Sequence, residues 1–144
     1  MDAFFDVLLA VLGGAVRVGT PFLFVSLGEC LTEKSGRINL GLEGVLVLSA
    51  MAAFGGSYLT GNAWLGVLAG ALAGAALALL HGLLCSLHRV NDVATGIALM
   101  MLGTGLAFYF GKPLIQPQAP QIPVIPLGLW SDAPAVRAAL QINA

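Results

Sequence analysis

One long uncharged stretch dominates this chain of 144 residues. Residues 44–88 contain no aspartate, glutamate, lysine or arginine over forty-five positions. A bilayer core about 30 Å thick is crossed by about 20 helical residues, so this stretch is long enough for two crossings. Just before it, the segment ECLTEKSGRINLGLE (residues 29–43) holds five of the thirteen charged side chains. A polar segment beside uncharged sequence of this length indicates a membrane protein.

The composition also indicates a membrane protein, and it excludes nucleic-acid binding. Hydrophobic residues make up 58% of the chain and charged residues 9%, against about 25% charged in soluble domains. The mean hydropathy is +0.94. With a net charge of -1 and six lysines and arginines in all, the chain lacks the basic patch that nucleic-acid binding requires.

The apolar residues form four segments, and we expect each to be a transmembrane helix. They cover residues 4–28, 40–58, 63–87 and 93–111. Backbone groups in lipid must be bonded within the structure, and none of the segments has the alternating pattern of a membrane β-barrel strand. We therefore predict an all-α fold, a polytopic membrane helical bundle of about four transmembrane helices in residues 1–112. A helix break is expected near residues 34–41.

The first segment contains Arg17 and Pro21, and proline removes one backbone donor from a helix. We prefer one kinked span here over an interfacial piece followed by a short span. Asp2 and Asp6 stand where a secretory signal carries basic residues. We therefore expect this segment to remain in the membrane.

Basic residues set the expected orientation. Lys34 and Arg37 precede the second span and Arg89 precedes the fourth, so a hairpin through residues 61–62 brings both loops to one side. Placing them in the cytoplasm satisfies the positive-inside rule. Residues 113–144, with six of the seven prolines, then form an extended extracytoplasmic loop. It is a connecting loop or a docking surface, and since nothing follows it we expect a truncated chain.

The third segment carries a row of small residues, one every four positions. The row is Gly66, Gly70, Gly74, Ala78 and Gly82. Small side chains on one helix face let a second transmembrane helix approach closely. We predict a helix-packing face, used within the subunit or, alternatively, as a homodimer seam.

The polar segment before the second span is the first candidate for a substrate pathway. Its glycines loosen the backbone, and Asn39 lies where it can cap the helix that begins near Leu40. Glu43 lies in the first turn, where the helix dipole favours a negative charge, and an ionisable residue at membrane depth is a functional candidate. In the alternative, Glu43 pairs with Arg37 or Lys34.

The start of the fourth span is the second candidate. Asn91 or Asp92 can cap this helix, and Thr95 follows within its first turn. Capping explains the Asn-Asp pair without a substrate role, but a solute contact by Asn91 and Thr95 remains open.

Catalytic and metal motifs are missing from the sequence. His81 and His88 are too few for a closed metal site without other ligands, and we interpret them as interfacial or internally hydrogen-bonded. Cys30 and Cys85 lack metal or redox spacing and are expected to be packing residues. No nucleotide-binding loop or serine-nucleophile motif occurs. We predict neither enzyme activity nor a cofactor or metal.

The segment TPFLFVSLGECLTEKSGRINLGLEGVLVLSAMAAF (residues 20–54) resembles the N-terminal signature of bacterial ABC transporter permeases of the simple-sugar and nucleoside uptake type, the branched-chain amino acid and ribose-type family. Asn39 and the Gly-Leu-Glu-Gly at 41–44 match the family's helix opening. Residues 91–99 (NDVATGIAL) are similar to its second polar block, with Asp92 where glutamine is usual. The chain corresponds to the N-terminal half of such a permease.

The resemblance implies alternating access in the bacterial plasma (inner) membrane. An extracytoplasmic substrate-binding protein delivers a nucleoside or sugar, a second permease subunit completes the pathway, and cytoplasmic ATP-binding subunits drive the change of access. Asn39, Asn91 and Thr95 then supply hydrogen bonds near helix breaks. Asn39 and Glu43 are the expected critical pair, so Glu43→Gln should impair uptake more than Asp132→Asn.

Two other functions stay open at this point. One is a small homo-oligomeric transporter or channel that uses the face from Gly66 to Gly82 as its seam. The other is a membrane scaffold subunit without a pathway. Solute flux would count against the scaffold, and a stable homo-oligomer with flux would favour the channel.

Overall fold

The computed structural model describes residues 2–123 and is helical, as predicted. Its elements are α1 Asp2–Lys34, α2 Leu42–Thr60, α3 Ala63–Ser86, α4 Asp92–Gly111 and a short 3-10 turn at Lys112–Leu114. Four helices are long and apolar enough to cross a membrane. The Asp132 of the comparison above and most of the proline-rich segment, residues 124–144, lie outside the described residues.

Helix α1 runs through Pro21 without interruption and continues to Lys34, beyond the apolar segment that ended at residue 28. A helix needs backbone bonds, not apolar side chains, so the polar turn that begins at Glu29 extends it. Gly36 ends it with a left-handed φ of 81°. The N–H of Gly36 donates to the Glu33 carbonyl at 2.9 Å and that of Arg37 to the Thr32 carbonyl at 3.2 Å, the pattern of a glycine C-cap. The predicted break therefore lies at residues 35–41.

Two compact units divide the chain. Gly28–Ile122 form one, and the remaining residues at both termini belong to the other. In the terminal unit, apolar side chains of α1 such as Phe4, Phe22 and Phe24 are exposed, as expected of a helix that meets lipid. The packing described below lies entirely within Gly28–Ile122.

Helices α2 and α3 form an antiparallel hairpin. Gly61 ends α2 in the left-handed region with φ 65°, which glycine adopts without steric cost. Asn62 then begins α3, and its side chain accepts a hydrogen bond from the Trp64 N–H at 2.9 Å. The tight connection turns the chain back on itself, so the two helices contact each other along much of their length.

Three glycines of the small-residue row face α2 of the same chain. A Cβ on Gly66 would lie 2.6 Å from the Ala53 carbonyl oxygen, and one on Gly70 would lie 2.9 Å from the Ser49 carbonyl oxygen. A Cβ on Gly74 would lie 2.6 Å from the Ser49 hydroxyl. No larger side chain fits at these distances, so the close approach of the two backbones depends on glycine.

Toward the C-terminal end of α3, the row of small residues no longer faces α2. Gly74 lies opposite Ser49 and Val45, and α2 begins only three residues before Val45, at Leu42. A Cβ on Gly82 would have nothing within 4 Å among the described residues. Ala78 and Gly82 border a pocket instead of a helix.

Helix α4 packs on another face of α2 through Gly44, Gly96 and Gly103, for which the sequence predicts no packing role. A Cβ on Gly103 would lie 2.6 Å from the Gly44 carbonyl oxygen, and one on Gly44 would lie 2.6 Å from the Met100 Cα. A Cβ on Gly96 would lie 2.7 Å from the Leu40 nitrogen. The start of α4 is therefore pressed against the end of the helix break.

The chain after α4 returns along the far end of α2. Residues 115–123 form no helix or strand, in keeping with their prolines. The Ser57 hydroxyl donates to the Pro120 carbonyl at 3.0 Å, and a Leu114 methyl lies 3.0 Å from the position of a Cβ on Gly55. The first part of the proline-rich segment thus packs at the end of α2 opposite the break.

Candidate functional site

The helix break is folded into a corner by Asn39. This side chain is only 6% exposed, and its Oδ1 accepts a hydrogen bond from the Gly41 N–H at 2.8 Å. The Asn39 N–H donates to Glu29 Oε1 at 2.9 Å, which ties the corner to the end of α1. The N-cap of α2 is Gly41, without a side-chain cap bond. Asn39 therefore closes the turn before the helix and does not cap it, because α2 begins two residues later than expected.

The glycines of the helix break allow close packing more than they provide backbone flexibility. Gly36 alone among them needs a left-handed φ, whereas Gly41 has φ -84° and Gly44 is already helical. A Cβ on Gly41 would lie 2.9 Å from Asn39 Oδ1 and 3.0 Å from the Gly96 carbonyl oxygen. The prediction of a loosened backbone is wrong for these two positions, since both are held against α4.

An ion pair joins the break to α4. Arg37 Nη1 lies 2.9 Å from Asp92 Oδ1, with the two side chains 46% and 17% exposed. Glu43 is exposed in the first turn of α2, and among residues 2–123 no ion pair links it to Arg37 or Lys34. The interpretation that Glu43 pairs with these residues is wrong, because Arg37 reaches across the bundle end to α4 instead.

Asn91 begins α4 as its cap. Its Oδ1 accepts from the Ala94 N–H at 3.0 Å, and its carbonyl accepts from the Thr95 hydroxyl at 2.9 Å. Capping therefore belongs to Asn91, and Asp92 is free to bind Arg37. The sequence alone had left the two residues equivalent for this role.

A pocket of about 390 Å³ opens between the break and the end of α3. It is lined by Leu31, Thr32, Ser35, Arg37, Asn39, Ala78, His81, Gly82, Cys85 and Ser86. His81 is 5% exposed and Cys85 2%, and the Cys85 sulfur lies 3.5 Å from His81 Nε2.

One of the four predicted pathway residues lines the pocket. Asn39 lines it, while Glu43, Asn91 and Thr95 do not. The sequence predicts His81 as interfacial or internally hydrogen-bonded and Cys85 as a packing residue, and it places neither of them in the pathway. Their four-residue spacing on an otherwise apolar helix is the signal that could have marked them, since residues four apart share a helix face.

The chemistry of this end of the bundle is hydrogen bonding. No group of three His, Cys, Asp or Glu side chains suited to a metal ion occurs in the part of the chain that the structure describes. Glu29 Oε2 is buried without a hydrogen-bond partner there, although Oε1 of the same carboxylate holds Asn39. The arrangement can hold a polar molecule, and the Cys85 thiol and His81 imidazole that contact each other there are both buried.

Residues 11–140 match the family described as branched-chain amino acid transport system / permease component. The chain belongs to this family. A proposed glucose ABC transporter permease of Haloferax volcanii is 40% identical over 106 residues, which cover 74% of this chain and 32% of that protein. The resemblance inferred from the helix break is thereby confirmed.

Two further members of the permease family are more distant. The guanosine ABC transporter permease of Bacillus subtilis is 27% identical over 74% of this chain, and the nucleoside ABC transporter permease of Lactococcus lactis is 26% identical over 72%. The chain spans about one third of the length of the curated relatives it matches. No solved structure matches it.

Proposed function

We propose that the chain forms the N-terminal part of a membrane-embedded permease subunit of an ABC importer, lining part of the route for nucleosides or simple sugars. The observation that carries the proposal is the family match over residues 11–140, together with four helices within residues 2–123 that are able to span a membrane. The named relatives handle glucose, guanosine and nucleosides, which are uncharged and rich in hydrogen-bonding groups. The chain performs no catalysis itself.

The partners and location follow from this role. A second permease subunit completes the pathway, cytoplasmic ATP-binding subunits supply the energy, and an extracytoplasmic substrate-binding protein delivers the solute. The complex lies in a bacterial plasma (inner) membrane. The homo-oligomeric channel is less favoured, because Gly66, Gly70 and Gly74 of its seam already face α2 of the same chain.

The orientation we propose puts the helix break and the α3–α4 loop in the cytoplasm. Support comes from the contacts of Arg37 with Asp92 and of Leu40 with Gly96, which bring both basic loops to one end of the bundle. Charge bias of this kind selects the cytoplasmic side. The Gly61 turn and the proline-rich segment then face outward.

For the pathway we retain Asn39, Glu43, Asn91 and Thr95. Asn39 has the strongest support, since its buried side chain lines the pocket. Thr95 lies in the first turn of α4, where its hydroxyl donates to the Asn91 carbonyl, and it does not line the pocket. Glu43 is exposed on α2, where a second permease subunit or the remainder of the permease can reach it.

Uptake by the complete system tests the function. Cells that express the complete permease with its ATP-binding subunits and binding protein should accumulate labelled guanosine or glucose. Glu43→Gln should impair this uptake, and Glu33→Gln, an exposed carboxylate at the end of α1, is the matched control. Absence of uptake of either solute by the wild-type system would contradict the proposal, and equal uptake by the two variants would remove Glu43 from the pathway.

A further inference from the structure

The pocket between the helix break and α3 has the walls of a polar binding site. Three of its polar side chains, Asn39, His81 and Cys85, are each at least nine-tenths buried. Its volume of about 390 Å³ lies within the range of about 300–1,000 Å³ that small-molecule sites occupy. Buried polar groups are normally satisfied by hydrogen bonds, so the groups left free here indicate what the pocket can take.

The hydroxyl groups of the wall are already used. Thr32 donates to the Gly28 carbonyl at 3.1 Å, Ser35 to the Thr32 carbonyl at 2.6 Å and Ser86 to the Leu83 carbonyl at 2.6 Å. In each of these bonds the acceptor is a backbone carbonyl three or four residues earlier in the chain. These hydroxyls therefore have no hydrogen left to donate to a ligand, and only their oxygens remain as acceptors.

Free donors remain on two other residues of the wall. The Asn39 amide nitrogen makes no hydrogen bond within Gly28–Ile122, because only Oδ1 and the backbone N–H are engaged. Arg37 uses one guanidinium nitrogen on Asp92. His81 has the Cys85 sulfur as its contact on Nε2, a weak partner that a better donor or acceptor can replace.

The charge of the site favours a neutral occupant. Asp92 balances Arg37 at 2.9 Å, and the hydroxyl, amide and thiol groups of the wall are uncharged. An anion would have to compete with Asp92 for the guanidinium, and a cation would find no free carboxylate among the lining residues. A solute with carbonyl, ring-nitrogen or hydroxyl groups satisfies the free donors without a net charge.

We propose that this pocket is a binding station for an uncharged solute of sugar or nucleoside size, at the end of the pathway where the basic loops lie. Asn39 and Arg37 donate hydrogen bonds to it, and His81 bonds it from α3. The proposal rests on the permease function above and adds the place and the residues at which the solute pauses before release. Asn39 thereby has two roles, since Oδ1 holds the corner while its amide nitrogen faces the solute.

Gly82 allows a direct test because it lines the pocket and its Cβ direction is open. In the complete transporter carrying Cys30→Ser, Gly82→Cys should react with a hydrophilic maleimide. Guanosine or glucose, at concentrations that saturate uptake, should slow that reaction about tenfold. His88→Cys is the control, since it is exposed just beyond α3 and outside the pocket, and its labelling rate should not change.

Two labelling results would overturn the station. One is a Gly82→Cys rate that neither solute changes, or that changes only in parallel with His88→Cys. The other is a Gly82→Cys that is unreactive without solute, because another part of the permease then fills the pocket. Filling of the pocket by another part of the permease has to be tested, because the chain spans about one third of the length of its relatives.

A filling variant provides the second measurement. Gly82→Leu should lower uptake about tenfold while the purified complex keeps its wild-type melting temperature, because the new side chain enters the pocket. Gly105→Leu is matched to it, being an exposed helical glycine with nothing within 4 Å of its Cβ, and should transport normally. Loss of stability in Gly82→Leu alone, or normal uptake, would contradict the proposal.

The two proposals fail differently. If the wild-type complex moves neither guanosine nor glucose, the permease function fails. If the wild type transports one of them and Gly82→Leu transports equally well, the function stands and the binding station is wrong.

Discussion

At the scale of single residues, glycines set how closely the helices of this fold can approach each other. Gly103 meets the Gly44 backbone so closely that a Cβ would lie 2.6 Å from the carbonyl oxygen. Backbone atoms cannot turn aside as a flexible side chain can. The two helices must therefore separate, or α4 must bend, before a larger residue fits.

Gly103→Ala should destabilise the protein by about 1–3 kcal/mol, the usual cost of overpacking. Gly105→Ala, two residues away with nothing within 4 Å of its Cβ, should be neutral or stabilising by up to about 1 kcal/mol, because alanine is the better helix former. Unfolding of both variants by denaturant titration in mixed micelles measures the difference. Equal stability of the two would contradict the close α2–α4 contact.

Glu29 supplies a second prediction at this scale. Its Oε1 accepts the Asn39 N–H at 2.9 Å, while Oε2 is buried without a partner. Glu29→Ala should cost about 1–3 kcal/mol, because it leaves a buried donor unsatisfied. Glu29→Gln keeps an acceptor and should cost less. Denaturant titration in mixed micelles measures the stability of both variants. A glutamine variant as unstable as the alanine variant would count against the hydrogen bond from the Asn39 N–H to Glu29.

At the scale of elements, the helix break is a fixed corner. Residues 35–41 are held to α1 by Glu29 and to α4 by Arg37 and the close contact at Gly96. A segment with so many attachments should move as one piece with α4 and with the last turns of α1, residues 28–34. The corner therefore positions the pocket wall.

The Arg37–Asp92 pair should show coupling in a double-mutant cycle. Because the pair is partly exposed, we expect a coupling of about 0.5–1 kcal/mol between Arg37→Ala and Asp92→Ala. A parallel cycle between Arg37→Ala and Glu43→Ala should give a value near zero. Coupling of Arg37 to Glu43 and none to Asp92 would restore the rejected pairing.

The elements themselves could largely be predicted from the sequence, because each carries a local signal. Neighbouring residues in the sequence are enough to recognise the uncharged stretch, the Gly61–Asn62 turn and the polar segment before Leu42. The Arg37–Asp92 bond joins residues 55 positions apart, and the α2–α4 contact depends on Gly96 and Gly103. No helical periodicity relates such partners, so pairings between elements required the structure.

At the scale of the whole molecule, the two ends of the bundle differ in chemistry. One end carries the basic loops, the ion pair and the pocket, while the other carries the Gly61 turn and the contact of Ser57 with Pro120. The pocket could not be predicted because its walls come from two segments, residues 31–39 and 78–86, that are far apart along the chain. From the sequence, Cys85 is a packing residue and His81 is interfacial or internally hydrogen-bonded, and only the structure places both in one pocket with Asn39.

Cysteine labelling should confirm which end faces the cytoplasm. In a Cys30→Ser background, Thr60→Cys should react with a membrane-impermeant maleimide in intact spheroplasts. His88→Cys should react only after the membrane is opened. The reverse pattern would invert the proposed orientation and place the pocket at the outer end.

The most direct test of the permease function is solute transport by purified components. The complete permease, its ATP-binding subunits and its binding protein are reconstituted in liposomes with ATP inside, and entry of labelled guanosine and glucose is measured. The account predicts ATP-dependent accumulation of at least one of these solutes, lost when the permease is omitted. Liposomes that accumulate neither solute, or do so equally well without the permease, would contradict it.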